Sequence, residues 1–142
     1  MVVKAFLAGQ MRYNRVMGQF EARVKIGILK DGFPHFTEEA NLLVDTGAMY
    51  SLIPAEVLER AGVRRLGNVP VKLANGARAE KSFGMAVLEV EGHPVATNVL
   101  FGEGDDLALL GMTTLELASL AVDPENQRLV PVAAIQAFDS RR

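Results

Sequence analysis

Residues 42–53 read Leu42-Leu43-Val44-Asp45-Thr46-Gly47-Ala48-Met49-Tyr50-Ser51-Leu52-Ile53. An apolar run leads into one carboxylate, one hydroxyl and one glycine, and a second apolar run leads out. The first run has the character of a buried strand, and Gly47 permits a bend that a side chain would resist. Thr46 sets a hydroxyl, both donor and acceptor, beside the carboxylate. A carboxylate at the end of an apolar strand is costly unless paired or hydrogen-bonded, so Asp45 is either a demanding turn residue or a chemical group in use.

Upstream of this stretch, Phe20, Ala22, Val24, Ile26 and Ile28 alternate with Glu21, Arg23, Lys25 and Gly27, the period of a half-buried strand. Asp31-Gly32 and Pro34 mark a loop over 30–36, after which residues 37–44 climb into the Asp45 turn, giving a hairpin. Downstream, 49–53 reads as a strand, and Pro54 opens a short helix over 55–61 that Gly62 is placed to end. Residues 69–74 and 77–81 flank Asn75-Gly76, a strong hairpin signal because both residues tolerate positive φ.

A further strand pair, 84–91 and 95–101, spans Gly92-His93-Pro94. A polar turn over 102–106 precedes the apolar strand 107–110 and Gly111. Thr113 and Glu116 form a capping box for a helix to about Leu120, and 128–132 makes a final strand. Many short strands, turns at close intervals and one or two short helices predict a mostly β, barrel-like domain.

Composition sets the outer bounds. A chain of 142 residues holds one domain with a real core. Residues 1–17 show no clean period and read as an extension, disordered or docked on a partner chain; the domain runs over 18–136, with 137–142 as a tail. A net charge of -2 gives no footprint for nucleic acid or an anionic membrane. Without cysteine there are no disulfides and no thiolate chemistry, and with only His35 and His93 a histidine metal cluster is not expected. No apolar run approaches the roughly 18 residues that span a bilayer, and the N-terminus lacks a convincing secretory signal. The cytoplasm is the expected compartment, and no cofactor or metal is expected.

Three features stand in order: the strand ending in Asp45-Thr46-Gly47-Ala48, the hairpin tipped by Asn75-Gly76, and Leu109-Leu110-Gly111 opening a helix. In this the chain resembles the retropepsin-like aspartic proteases, most closely their small single-domain prokaryotic members, over roughly residues 18–135. The resemblance implies a retropepsin-like acid-protease barrel in which Asp45 is the catalytic carboxylate. It also implies that Thr46 locks the turn to its copy across a two-fold axis and that Gly47 lets the backbone approach substrate. Ala48 and the flap residues Ala74, Asn75, Gly76 and Ala77 would contact a bound peptide. Leu109, Leu110 and Gly111 would pack behind the turn. Two differences from viral members stand out: Met49-Tyr50 follows Ala48 where viral chains often carry acidic residues, and the hairpin has fewer glycines than a typical viral flap.

Carboxylate-driven peptide hydrolysis needs one group to take a proton from water and another to protonate the carbonyl. Two aspartates held close together share one proton, because both cannot ionise cheaply at that distance. This chain has one Asp-Thr-Gly and no Asp-Ser-Gly, since Asp139-Ser140 is followed by Arg141. The implied enzyme is therefore a homodimer acting on peptides or unfolded protein, with Asp45 of each copy at the two-fold axis. The alternatives from other classes are a protease-like domain that binds peptides without cleaving them, and a dimerisation module. Asn75-Gly76 is equally compatible with a plain surface hairpin. Glu103, Asp105 and Asp106 lack the spacing of a calcium loop and read as a solvated turn, and His35 and His93 read as exposed loop residues beside prolines.

Overall fold

The computed structural model describes residues 19–133. The expected 1–17 extension, the 137–142 tail and both predicted domain limits lie outside the described residues. The elements in chain order are β1 (Glu21–Lys30), β2 (Phe33–Val44), β3 (Ser51–Pro54), α1 (Ala55–Ala61), β4 (Gly67–Lys72) and β5 (Arg78–Val90). They continue with β6 (His93–Gly102), β7 (Leu109–Leu110), α2 (Met112–Leu117), β8 (Leu120–Asp123) and β9 (Arg128–Pro131).

The alternation read in β1 holds: Ala22, Val24 and Ile26 are buried while Glu21, Arg23 and Lys25 are exposed. It stops at a bulge between Ile26 and Gly27, where the backbone of His35 comes so close that a Cβ on Gly27 would lie 1.9 Å from the His35 carbonyl oxygen. The loop expected over 30–36 is shorter than predicted. Asp31 (φ 53°) and Gly32 (φ 83°) alone make the connection, a two-residue turn whose twist suits the flanking strands. Pro34 is absorbed into β2 opposite Leu29, on a stretch of strand with no second partner strand among the described residues, so its missing N–H costs no ladder bond there.

Strands β1-β2-β7-β3-β6-β5-β4 lie in that order, and β1 also pairs with β5, so the sheet returns on itself and β4 hangs from its edge. The mostly β architecture with two short helices expected from the sequence is the one observed. Inside the ring pack Val24, Ile26, Leu42, Ile53, Leu88, Val90, Val99, Phe101 and Leu110, closed off by Leu58 of α1 and Leu115 of α2. At 25 cal/mol per Å² or so, burying such side chains is the main force holding these elements together.

Helix α1 matches its predicted span, and Gly62 (φ 91°) ends it with Gly62 N–H to Glu59 O at 3.1 Å and Val63 N–H to Leu58 O at 2.9 Å. The two strands predicted over 77–81 and 84–91 are one continuous strand, β5. Gly84 does not break it; a Cβ there would fall 2.3 Å from the Arg64 carbonyl oxygen. The turn expected at 92–94 is instead Glu91-Gly92, both with positive φ, and His93 begins β6. His93 is half-buried, with an Nδ1 that has no hydrogen-bond partner among the described residues, rather than an exposed loop residue. His35 is exposed but sits on β2. Strands β8 and β9 form a separate two-stranded sheet beyond α2. Among the described residues no helix is long and apolar enough to cross a membrane.

Candidate active site

Asp45 stands immediately after β2, where the chain must turn and come back as β3. Between these two strands lies β7, parallel to β2 (Leu43 opposite Leu109, Val44 opposite Leu110) and antiparallel to β3 (Leu52 opposite Leu109). A two-residue strand has little to hold it by itself. Here both edges are paired, one with β2 and one with β3, and on the β2 side Leu43 N–H donates to Ala108 O at 2.9 Å and Asp45 N–H to Leu110 O at 3.0 Å. The candidate carboxylate is thereby tied to a segment more than sixty residues away in sequence.

The turn itself is closed by Ala48 N–H to Asp45 O at 3.1 Å, and Gly47 N–H donates to Asp45 Oδ1 at 2.9 Å. Gly47 does not adopt a left-handed φ, so the bend expected to require glycine is not the reason for it. A Cβ at 47 would lie 3.2 Å from Asp45 Oδ1, so the carboxylate would have to give by a few tenths of an ångström. Asp45 is half-buried, and Thr46 and Gly47 are exposed. Partial exposure and one backbone hydrogen bond explain how a carboxylate is tolerated at the end of this strand.

Beyond Ala48 the turn rests on α2. Met112 N–H donates to Ala48 O at 2.8 Å and Thr113 N–H to Met49 O at 2.9 Å. These are first-turn N–H groups that no helical carbonyl can satisfy, so the Asp45 turn caps the helix and the helix holds the turn. This replaces the capping box expected from Thr113 and Glu116. Thr113 lies inside α2, the N-cap residue is Gly111, and no side chain caps the helix. It also shortens the predicted strand 49–53, because residues 48 and 49 spend their carbonyls on the helix and β3 starts at Ser51.

Gly111 is the tightest position in this assembly. A Cβ there would sit 2.5 Å from Tyr50 C, 2.6 Å from Tyr50 O and 2.9 Å from Ser51 N, all backbone atoms. Its N–H donates to Ser51 Oγ at 2.9 Å, and Ser51 Oγ shares a hydrogen bond of 2.7 Å with Thr114 Oγ1. Ser51 and Thr114 are both fully buried. Neither was singled out in the sequence. Their signal was faint: one hydroxyl inside an apolar run, and one on the helix face that also carries Leu115 and Ala118.

The hairpin residues lie apart from this assembly. Gly76 N–H donates to Leu73 O at 2.9 Å, Leu73 N–H to Ala77 O at 2.8 Å and Ala77 N–H to Asn75 Oδ1 at 2.9 Å. Of the Asn-Gly pair only Gly76 takes positive φ (87°), so the connection is a β-turn followed by a left-handed glycine, a longer loop than a two-residue turn. Ala74, Asn75, Gly76 and Ala77 are exposed, and among the described residues no hydrogen bond joins them to residues 45–48. Glu103 and Asp106 are engaged by Arg65 and Lys81 respectively, and Arg65 lies 4.3 Å above the Phe101 ring. Hydrogen bonding to Glu59, then to Glu103, raises the Arg65 pKa against some desolvation.

The family model described as "gag-polyprotein putative aspartyl protease" matches residues 37–117, which contain the Asp45 turn, the hairpin and Leu109-Leu110-Gly111. Among solved structures, EIAV protease complexed with the inhibitor HBY-793 matches with a TM-score of 0.54 and 20% identity, over 69% of this chain and 86% of that one. The solution structure of simian foamy virus (mac) protease matches with a TM-score of 0.47 and 20% identity, over 68% of this chain and 92% of that one. No curated protein matches. At that identity the EIAV enzyme speaks for the fold alone. The family model spans more than half of the 142 residues, and with it the chain belongs to the gag-polyprotein aspartyl protease family.

Proposed function

We propose that this protein is an aspartic endopeptidase whose active site forms when two copies bring their Asp45 turns together. The observation that carries the proposal is a carboxylate that accepts Gly47 N–H, on a residue whose own N–H is tied to Leu110 O, yet left partly open, in a chain with one such motif. One Asp45 is ionised and takes a proton from a water molecule, whose oxygen attacks the peptide carbonyl carbon. The other is protonated and gives its proton to the carbonyl oxygen. Collapse of the tetrahedral intermediate breaks the C–N bond, with a proton passing to the leaving amine.

Thr46, exposed beside Asp45, is placed to meet its copy, and Gly47 and Ala48 line the floor that a peptide would cross. A cavity of about 290 Å³ opens beside Thr46, walled by Met112, Leu115, Leu120, Val122 and Val132. Met49, next to the turn, is 65% exposed. Apolar surface concentrated beside a candidate two-fold axis suits coverage by a second copy. The hairpin residues 74–77 act as a cover over the bound peptide, and the natural setting is the cytoplasm.

Purified protein is expected to cleave an unfolded protein substrate at acidic to neutral pH. Asp45→Asn is expected to reduce the rate roughly a thousandfold while leaving the fold and dimer intact. Equal rates for the two would reject the enzyme and leave a peptide-binding or dimerisation domain.

A further inference from the structure

The hairpin formed by β4 and β5 is an arm. Among the described residues β4 pairs with β5 alone, and β5 joins β6 only from Phe83 onward, opposite Leu100. From Phe83 to the tip the two strands therefore reach roughly 20 Å without a third strand beside them. Such a ribbon is free to swing unless a side chain ties it down.

One does. Lys81 of β5 forms an ion pair with Asp106, in the loop between β6 and β7. Among the described residues it is the one ion pair that leaves the arm for the rest of the molecule. It is also the best shielded, with the Lys81 side chain 14% exposed and that of Asp106 29% exposed. The carboxylate is oriented from its own side too: Asp106 Oδ2 accepts from Glu103 N–H at 2.9 Å while Asp106 N–H donates to Glu103 O at 3.0 Å. Two residues further on, Ala108 O accepts from Leu43 N–H, and Leu110 O accepts from Asp45 N–H. A short chain of contacts thus runs from the arm through Lys81 and Asp106 to the backbone that fixes Asp45.

We infer that Lys81 and Asp106 are positioning residues, a latch that sets the arm, and with it residues 74–77, relative to the Asp45 turn. A largely buried ammonium whose carboxylate is removed is driven to reach water, and lifting the strand that carries Lys81 brings it there. The role in substrate coverage rests on the proposed protease; the mechanical latch does not.

The test is a double-substitution cycle of Asp106→Asn and Lys81→Met, read by amide hydrogen exchange and by peptidase kinetics. Asn at 106 keeps an acceptor for Glu103 N–H, and Met at 81 keeps the apolar stem. Asp106→Asn is expected to speed exchange of the β4–β5 ladder amides about fivefold, with the amides of Leu43 and Asp45 unchanged. The double variant should be no worse than Asp106→Asn alone, and Lys81→Arg should retain wild-type protection. In peptide cleavage KM should rise about fivefold with kcat within about twofold. Unchanged ladder exchange in Asp106→Asn, additive effects of the two substitutions, or a fall in kcat at constant KM would overturn the inference. A wild-type chain without peptidase activity would defeat the proposed enzyme, while the exchange data would still decide the latch.

Discussion

The Asp45 turn and the 74–77 hairpin tip are both short loops with a glycine at their centre, and they are built in opposite ways. The turn is held by β7 on one side and the first turn of α2 on the other, and Gly111 beneath it has no room for a methyl group. The tip is held by itself, through three hydrogen bonds among residues 73–77, and a Cβ on Gly76 would meet nothing within 4 Å. Glycine is demanded by crowding in one place and by backbone conformation in the other. In the proposed peptidase the Asp45 turn would be a rigid floor and the hairpin tip its cover, since groups doing chemistry must be preorganised while the entrance must open.

The sharpest way to break this contrast is to add one methyl group to each region. Gly111→Ala should cost about 3 kcal/mol or unfold the chain, because the backbone at Tyr50 and Ser51 must move. Gly76→Ala should cost only about 1 kcal/mol, the strain of placing alanine at φ 87°. Urea denaturation measures both, and similar costs would remove the distinction between floor and cover.

The buried hydroxyls come next. Ser51→Ala leaves the Gly111 N–H and the Thr114 hydroxyl without their partner, and a loss of about 2 kcal/mol is expected. Thr114→Val spares the Ser51–Gly111 bond and should cost about 1 kcal/mol in the same assay. At the tip, Asn75→Ala removes only an exposed side-chain bond to Ala77 N–H, for which about 0.5 kcal/mol is expected.

The smallest effect concerns pH, at the β8–β9 hairpin beside α2. Hydrogen bonds from Asn126, with help from Arg128, hold the Asp123 carboxyl below its ordinary pKa. Its contribution is therefore present above the unfolded value and fades as the pH falls below about 4 through the folded value. Asp123→Asn should lower stability slightly at neutral pH and leave it almost unchanged in acid, which flattens the acid limb of a pH–stability curve.

What the sequence disclosed divides along the same line as the two loops. The Asp45 turn, α1 with Gly62, and Leu109-Leu110-Gly111 were legible because each is written in a local pattern of apolar runs and special residues. Their mutual arrangement was not. That β7 slots between β2 and β3 depends on pairings across most of the chain, and Ser51 meets Thr114 from 63 positions away. Local rules also misled where tertiary contacts took over a group's needs. Thr113 and Glu116 carry the spelling of a helix cap, yet Ala48 and Met49 do the capping. The stretches 77–81 and 84–91 read as two strands and are one, within which Gly84 is a point of close approach to Arg64.

The central claim is that one active site draws Asp45 from two chains, and mixing wild-type protein with the Asp45→Asn variant tests it most directly. After exchange of subunits at fixed wild-type concentration, activity per wild-type chain should fall with the wild-type fraction, to about half at equal amounts, because mixed dimers carry one carboxylate. Activity per wild-type chain that stays constant as the variant is added would contradict the account.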